Sequence, residues 1–139
     1  MLDINAIFAP GGVLSQHIAG FRTRTQQVEM AQAIADTIAK HQILVAEAGT
    51  GTGKTFAYLA PALLAGGKVI ISTGTKTLQD QLFNRDIPTV RAALGIPVTV
   101  ALLKGRANYV CHYHLERSLQ DTHLSFINRD EIHYLQLIE

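Results

Sequence analysis

The sequence predicts an α/β domain in which a parallel sheet is flanked by helices. Three short apolar runs, at residues 43–47, 68–73 and 98–103, alternate with stretches whose apolar residues recur at helical spacing. This alternation is typical of parallel strands joined by right-handed helical crossovers. A glycine-rich segment also lies between the first apolar run and the helical stretch that follows it.

The N-terminal half begins with a segment, residues 1–22, that holds a Pro-Gly-Gly turn and a short apolar stretch. A helix capped by Thr23 or Thr25 is expected to run to about Lys40, because its apolar residues form one stripe. The first strand follows, then the glycine-rich loop, and then a helix that ends at Gly66-Gly67.

The second half starts with the strand at 68–73, and a helix is predicted over residues 75–84. Ile87-Pro88 is expected to interrupt and restart this helix, and Gly95 to stop it. The third strand follows, and from Asn108 onward helical spacing continues to the last residue.

Composition narrows the class of protein. The chain has 139 residues, of which 47% are hydrophobic and 17% charged, which describes a compact globular protein and excludes a disordered one. The net charge of +1 makes no overall case for nucleic acid, so any basic surface must be local. The single cysteine excludes an internal disulfide framework. With neither a signal peptide nor a membrane span visible, we expect a cytoplasmic protein without a membrane partner.

The glycine-rich segment, residues 47–55, reads E-A-G-T-G-T-G-K-T and has the form of a phosphate-binding loop. Its glycines permit backbone angles that a Cβ would forbid, so that successive N–H groups converge on phosphate oxygens at a helix N-terminus. Lys54 would charge-pair with the β- and γ-phosphates, and Thr55 would ligate Mg²⁺. An ordinary strand-to-helix turn needs no Lys-Thr pair. The predicted nucleotide-binding residues of the loop are Ala48, Gly49, Thr50, Gly51, Thr52, Gly53, Lys54 and Thr55, with Lys54 and Thr55 as its catalytic residues.

Four segments match one family in order. They are Arg24-x-x-Gln27-x-x-Met30, the loop at 47–55, Ile70-Ile71-Ser72-Thr73-Gly74-Thr75-x-x-Leu78-Gln79-x-Gln81-Leu82, and Leu103-Lys104-Gly105-Arg106-x-Asn108-Tyr109-x-Cys111. The chain resembles the N-terminal part of a DinG/XPD-type superfamily 2 ATP-dependent DNA helicase, within it the bacterial YoaA-like branch. The likeness covers the chain from about Phe21, and its last two segments are the most specific.

The resemblance implies a partial RecA-like domain, a P-loop NTPase fold truncated at the start of a helical insertion. Residues 23–107 would be the first part of motor domain 1, and residues 108–139 the start of an iron–sulfur type insertion. Arg24 and Gln27 would lie on the adenine side of the nucleotide. The residues implied to meet the backbone of single-stranded DNA are Thr73, Thr75, Gln79, Lys104 and Arg106. The residues alone leave structural alternatives open. Gln27 could be a solvated side chain, the threonines could cap a helix, and Lys104 and Arg106 could be ordinary surface charges.

Cys111 resembles the first of the cysteines that hold a 4Fe–4S cluster in this family. Such a cluster takes about four thiolates, and this chain has one. The cluster is therefore expected only in a full-length parent. Within this chain, Cys111 is a ligand without its partners.

Two further patterns are rejected. Asp130-Glu131-Ile132-His133 spells a helicase magnesium motif, but polar Asn128-Arg129 precedes it where an apolar strand is needed, so it indicates the first turn of a helix. The second pattern is a cysteine and histidine set that invites a zinc interpretation but has no second pair at finger spacing. Its members are Cys111, His112, His114, His123 and His133.

The resulting hypothesis is the N-terminal ATP-binding part of an ATP-dependent DNA helicase. It would act 5′→3′ on single-stranded or forked DNA in repair or replication, with ATP and Mg²⁺. The chain lacks the family's DExH motif, the rest of the cluster domain and the C-terminal motor domain, so it is expected to be a fragment without turnover. The alternatives are a stand-alone small NTP-binding module and a non-functional structural fragment.

Overall fold

The computed structural model describes the backbone of residues 3–120 and the side chains of residues 3–117. The chain divides into two compact units, residues 1–100 and residues 101–139. The predicted helical stretch beyond residue 120 lies outside the described residues. The same holds for the D-E-I-H pattern at 130–133 and for His123.

Within residues 3–120, helices make up the regular structure of both units. The first unit contains α1 (Ile4–Phe8), α2 (Val13–His17), α3 (Thr25–Ala39), α4 (Lys54–Leu64), α5 (Lys76–Gln81) and α6 (Ile87–Leu94). The second unit has a 3₁₀ turn at Arg106–Asn108 and α7 at His112–Gln120. No helix between residues 3 and 120 is both long and apolar enough to cross a membrane.

The predicted parallel sheet is wrong: residues 3–120 form neither a strand nor a sheet. The three apolar runs at 43–47, 68–73 and 98–103 are irregular, and Ile43, Val45 and Ile70 are 94–95% exposed. An extended run becomes a strand only when a second backbone completes the hydrogen-bond ladder beside it. The apolar pattern indicates which side chains a strand would bury. It does not indicate whether a second strand lies close enough to pair with it.

Within residues 3–120 the predicted helices are present, with differences at their ends. α3 covers nearly the expected range, but neither threonine caps it: Arg24 is the N-cap residue, without a side-chain cap bond. The Thr23 hydroxyl instead donates to the Phe8 carbonyl at 2.6 Å, which ties the start of α3 to the end of α1. Gly95, at φ 65°, ends α6 as predicted.

The expected interruption at Ile87-Pro88 is a π-helical turn, Leu82–Asp86, that joins α5 to α6 without a break. The Ile87 N–H bonds to the Leu82 carbonyl five residues earlier, which is the π-helical spacing. Pro88 lies in the first turn of α6, directly after this π turn. The helix therefore changes its hydrogen-bond register before the proline and does not end there.

The core of the first unit is helical and draws heavily on the N-terminal segment. α3 packs along α4, α1 against α3, and α2 against α6. The largest fully buried side chains are Phe8, Ile7, Leu14, Leu59 and Val90. Three of these five lie in α1 and α2, so these short helices are part of the scaffold that carries α3 and α4.

Candidate nucleotide-binding site

The phosphate-binding loop joins an irregular run to the N-terminus of α4, which begins at Lys54. Gly51 has φ 78° and Gly53, the N-cap residue, has φ 82°, both in the left-handed region that a Cβ disfavours. The predicted need for glycine is confirmed at these two positions, whereas Gly49 does not have a positive φ. The first N–H groups of α4 have no carbonyl within the helix to bond, as at any helix start.

Lys54 reaches back into the loop. Its Nζ donates to the Ala48 carbonyl and to the Gly49 carbonyl, each at 2.6 Å. The Thr52 hydroxyl adds a bond to the Gly49 carbonyl at 2.9 Å. The ammonium therefore lies among carbonyl oxygens at the N-terminus of a helix, where an anionic ligand is favoured by the amide groups and the helix dipole.

The two residues implied for the adenine side reach the same loop from the start of α3. Arg24 Nη1 donates to the Gly51 carbonyl at 2.6 Å, and Gln27 Nε2 donates to the Gly53 carbonyl at 2.9 Å. The two residues are three apart, which places them on one face at the start of α3. The structure thus brings Arg24, Gln27 and the loop together, and their place on the adenine side of a nucleotide stays a prediction.

Gly53 is glycine for a second reason besides its φ. A Cβ built on it would collide with Gln27 Nε2 and lie 2.9 Å from Gln27 Cδ. A Cβ on Gly51 would meet no atom within 4 Å. The contact between the loop and Gln27 therefore depends on the missing side chain of Gly53 specifically.

Gln27 also carries an unsatisfied acceptor. Its side chain is 3% exposed, and its Oε1 is a buried side-chain atom without a hydrogen-bond partner among the described residues. Buried polar atoms are rarely left in this state, because each costs about 1–3 kcal/mol. An acceptor of this kind fits a ligand that brings its own N–H donor.

A cavity of about 170 Å³ lies beside Gln27. It is lined by Ile18, Ala19, Gly20, Phe21, Arg22, Arg24, Gln27, Gly53 and Phe56. Since whole ligand pockets measure about 300–1,000 Å³, the cavity suits one ring system and not an entire nucleotide. Sequence reasoning missed Ile18, Phe21 and Phe56; the available signal was the pair of apolar residues shortly before Arg24.

Tyr58 lies one helical turn beyond Thr55 in α4. Burial raises the pKa of Tyr58 above its ordinary value, the Thr55 side chain opposes this rise, and the Asp86 carboxylate adds to it. Asp86 is itself buried and accepts from Gln81 Nε2 at 2.9 Å and from Arg85 Nε at 2.8 Å. Neither Tyr58 nor Asp86 was predicted, because their proximity arises from packing of α4 near the π turn.

The residues implied to bind DNA are divided between the two units. Thr75 Oγ1 accepts the Leu78 N–H at 3.2 Å and caps α5, which is the structural alternative left open for it. The Thr73 hydroxyl donates to the Thr75 carbonyl at 3.2 Å, and Gln79 lies within α5. Lys104 and Arg106 belong to the second unit.

Cys111 also belongs to the second unit, and it is exposed. Within the part of the chain that is described, no group of three or more His, Cys, Asp or Glu side chains could hold a metal ion. His123 and His133 of the rejected zinc set lie outside that part.

Comparison with known proteins gives one consistent family. The DEAD/DEAH box helicase family matches residues 25–136. The chain is 60% identical over 115 residues to the ATP-dependent DNA helicase YoaA of Haemophilus influenzae, which covers 83% of this chain and 18% of that protein. It is 61% identical over 110 residues to the YoaA of Escherichia coli, covering 79% of this chain and 17% of that one.

A more distant relative is the 3'-5' exonuclease DinG of Bacillus subtilis, 39% identical over 112 residues, or 78% of this chain and 12% of that protein. No solved structure matches the chain. The chain spans less than a fifth of the length of these relatives. The family match covers most of the sequence, and the chain therefore belongs to the DEAD/DEAH box helicase family.

Proposed function

We propose that this chain is the N-terminal ATP-binding part of an ATP-dependent DNA helicase. The observation that carries the proposal is the loop itself, in which Lys54 Nζ is held at 2.6 Å from two loop carbonyls while Gln27 reaches the loop from α3. The helicase activity is taken from the relatives, whose names give ATP dependence and DNA.

The residues present fit ATP with Mg²⁺. Lys54 would exchange its two carbonyl partners for phosphate oxygens, and Thr55 would offer its hydroxyl oxygen to Mg²⁺. The orphaned Gln27 Oε1 would accept from the exocyclic amine of adenine, with the base in the adjoining cavity. When bound, ATP supplies the phosphoanhydride whose hydrolysis drives movement along a strand.

For the substrate we propose single-stranded or forked DNA, moved with 5′→3′ polarity in repair or replication. Backbone contacts would come from Thr73, Thr75 and Gln79 in the first unit and from Lys104 and Arg106 in the second. Hydroxyls, amides and cations suit this task because phosphate contacts carry no sequence information. We propose a cytoplasmic location, where DNA and ATP meet, and no membrane partner.

The isolated chain is not proposed to turn over ATP. Strand movement requires a site closed between two motor domains, and the second would come from a C-terminal motor domain beyond this sequence. A 4Fe–4S cluster does not fit this chain by itself, since about four thiolates are needed and Cys111 is its only cysteine. Cys111 is proposed as one ligand of such a cluster only in a longer parent.

Titration calorimetry with Mg²⁺ and ATP tests nucleotide binding. The base contacts come from one side, so we expect a Kd no tighter than about 10 μM, near −7 kcal/mol. Lys54→Ala should lose most of this affinity, and Gln27→Ala should lose part of it. Lys68→Ala, an exposed lysine outside the loop, is the matched control. Equal affinity in wild type and Lys54→Ala would contradict the assignment.

A second measurement tests the absence of turnover. The chain with single-stranded DNA should show no stimulated ATPase activity above background. A stimulated rate that disappears in Glu131→Gln would overturn both this expectation and the rejection of the D-E-I-H pattern.

A further inference from the structure

The second unit contains a compact turn, residues 104–109, that fixes one aromatic ring. The Asn108 N–H bonds to the Gly105 carbonyl at 2.9 Å, and the Tyr109 N–H to the Arg106 carbonyl at 3.1 Å. The Tyr109 hydroxyl in turn accepts the Lys104 N–H at 2.8 Å. The ring is therefore held at its backbone and at its hydroxyl, across the width of the turn.

This fixed ring is nevertheless open to solvent. Tyr109 is 53% exposed, and Tyr113, in the first turn of α7, is 63% exposed and stands edge-on to His114 at 5.3 Å between ring centroids. The hydroxyl bond explains how Tyr109 stabilises the turn but gives no reason for an open ring. The second unit thus carries two exposed tyrosine rings, one in this turn and one in the first turn of α7, which are together called the tyrosine surface (Tyr109 and Tyr113).

The residues around the tyrosine surface carry a net positive charge. Residues 101–117 carry three cationic side chains against one carboxylate, a net charge of +2 in a chain whose total is +1. The cations are Lys104, Arg106 and Arg117. Lys104 and Arg106 belong to the turn that holds Tyr109, and Arg117 shares a helical face with Tyr113 at a spacing of four.

We propose that the tyrosine surface stacks on the bases of single-stranded DNA, with Lys104 and Arg106 contacting the phosphates beside it. Aromatic rings next to cations are the usual means of binding single strands without sequence preference, because every base has a π face. A ring that is already held in place loses little conformational freedom on binding. The inference rests on the proposed function for its ligand, single-stranded DNA. It adds to that function the side chains that would contact the bases, whereas the residues named above would contact the phosphates.

The test compares two fluorescent oligonucleotides in binding to the full chain without nucleotide. One is oligodeoxythymidine, and the other is an abasic strand of the same length that keeps the phosphates. Fluorescence anisotropy should show tighter binding to the strand with bases. Equal affinity for the two strands would overturn the proposal, since phosphate contacts alone would then account for binding.

Variants separate stacking from folding of the turn. Tyr109→Leu should bind oligodeoxythymidine about tenfold more weakly, whereas Tyr109→Phe, which keeps the ring and loses the hydroxyl bond, should remain close to wild type. Tyr109→Phe as weak as Tyr109→Leu would show that the hydroxyl bond matters and stacking does not. Tyr113→Leu should also bind more weakly, and only to the strand with bases.

Arg106→Gln is the matched electrostatic variant. It should weaken binding of both strands alike and reduce the slope of log affinity against log salt by about 0.7. Lys68→Ala, an exposed lysine outside the loop and the tyrosine surface, should leave oligonucleotide binding unchanged. Failure of nucleotide binding is measured in Lys54→Ala by calorimetry, and failure of stacking in Tyr109→Leu by anisotropy.

Discussion

The phosphate-binding loop and the apolar run before it, residues 43–47, are neighbours in the sequence. They differ in how many contacts with the rest of the fold fix their position. Loop carbonyls accept from Lys54, Arg24 and Gln27, the last two being side chains of a packed helix start. In the run, Ile43 and Val45 are 95% and 94% exposed. A loop can be held by side chains that a helix delivers, whereas a strand needs a second extended backbone. Long-range pairing is therefore the part of the predicted α/β pattern that residues 3–120 do not show.

The largest expected effect contrasts the helical core with the exposed run. Phe8→Ala removes a fully buried ring from α1 and should lower the free energy of unfolding by about 3–5 kcal/mol. Ile43→Ser should change it by no more than about 0.5 kcal/mol, because that side chain already faces solvent. Urea unfolding followed by far-UV circular dichroism measures both. A comparable loss in Ile43→Ser would show that the run is buried in solution, and the contrast would fail.

A second pair of variants tests whether the contact between the loop and Gln27 depends on Gly53. Gly51→Ala should cost about 1–2 kcal/mol of stability, the cost of placing an L residue in the left-handed region. Gly53→Ala should cost a further 0.5–1.5 kcal/mol or so, because the Gln27 carboxamide must also move and lose its bond. In a Gln27→Ala background this extra cost should disappear. If both alanine variants are equally stable in the wild-type background, Gln27 does not depend on Gly53.

A third prediction concerns the start of α5. Thr75→Ala should lower stability by about 1 kcal/mol through loss of the N-cap bond to Leu78. Thr75→Asp should keep the cap, since aspartate is a good N-cap residue, yet should weaken DNA binding if the hydroxyl also meets a phosphate. Urea unfolding and oligonucleotide anisotropy on the same variants separate the two roles. Unchanged DNA affinity in Thr75→Asp would leave Thr75 as a cap only.

The smallest expected effect is at alkaline pH. Because the pKa of Tyr58 is raised in the folded chain, folding favours the neutral phenol, and this contribution is complete below the ordinary value of 10.0. It should be lost as the pH rises from 10.0 through the raised pKa of the folded state. When the pH is raised from below 10.0 to above it, the free energy of unfolding should therefore fall less in Tyr58→Phe than in wild type. Parallel declines in urea midpoint would contradict this assignment.

Prediction from the sequence succeeded where the signal is local. Each feature that was predicted correctly depends on residues close together in the sequence. These features are the helical spacing of α3 and α4, the end of α6 at Gly95 and the Gly-Lys-Thr loop. α1 and α2 were missed because five residues are too few to show a helical period, although they supply Phe8 and Leu14 to the core. Arg24 and Gln27 were identified through a resemblance, and only the structure shows which loop carbonyls they bond.

What the sequence determined by itself is the longer helices, α3 and α4 among them, and a loop whose glycines and lysine suit a phosphate. Both follow from short-range backbone preferences, because each depends on residues close together in the chain. The tertiary structure decided that Gln27 lies against the bare Cα of Gly53, that Tyr58 lies near Asp86, and that the apolar runs within residues 3–120 form no sheet. These outcomes depend on which groups from distant parts of the sequence come together in the fold. An apolar pattern shows that a segment needs a partner but does not identify that partner.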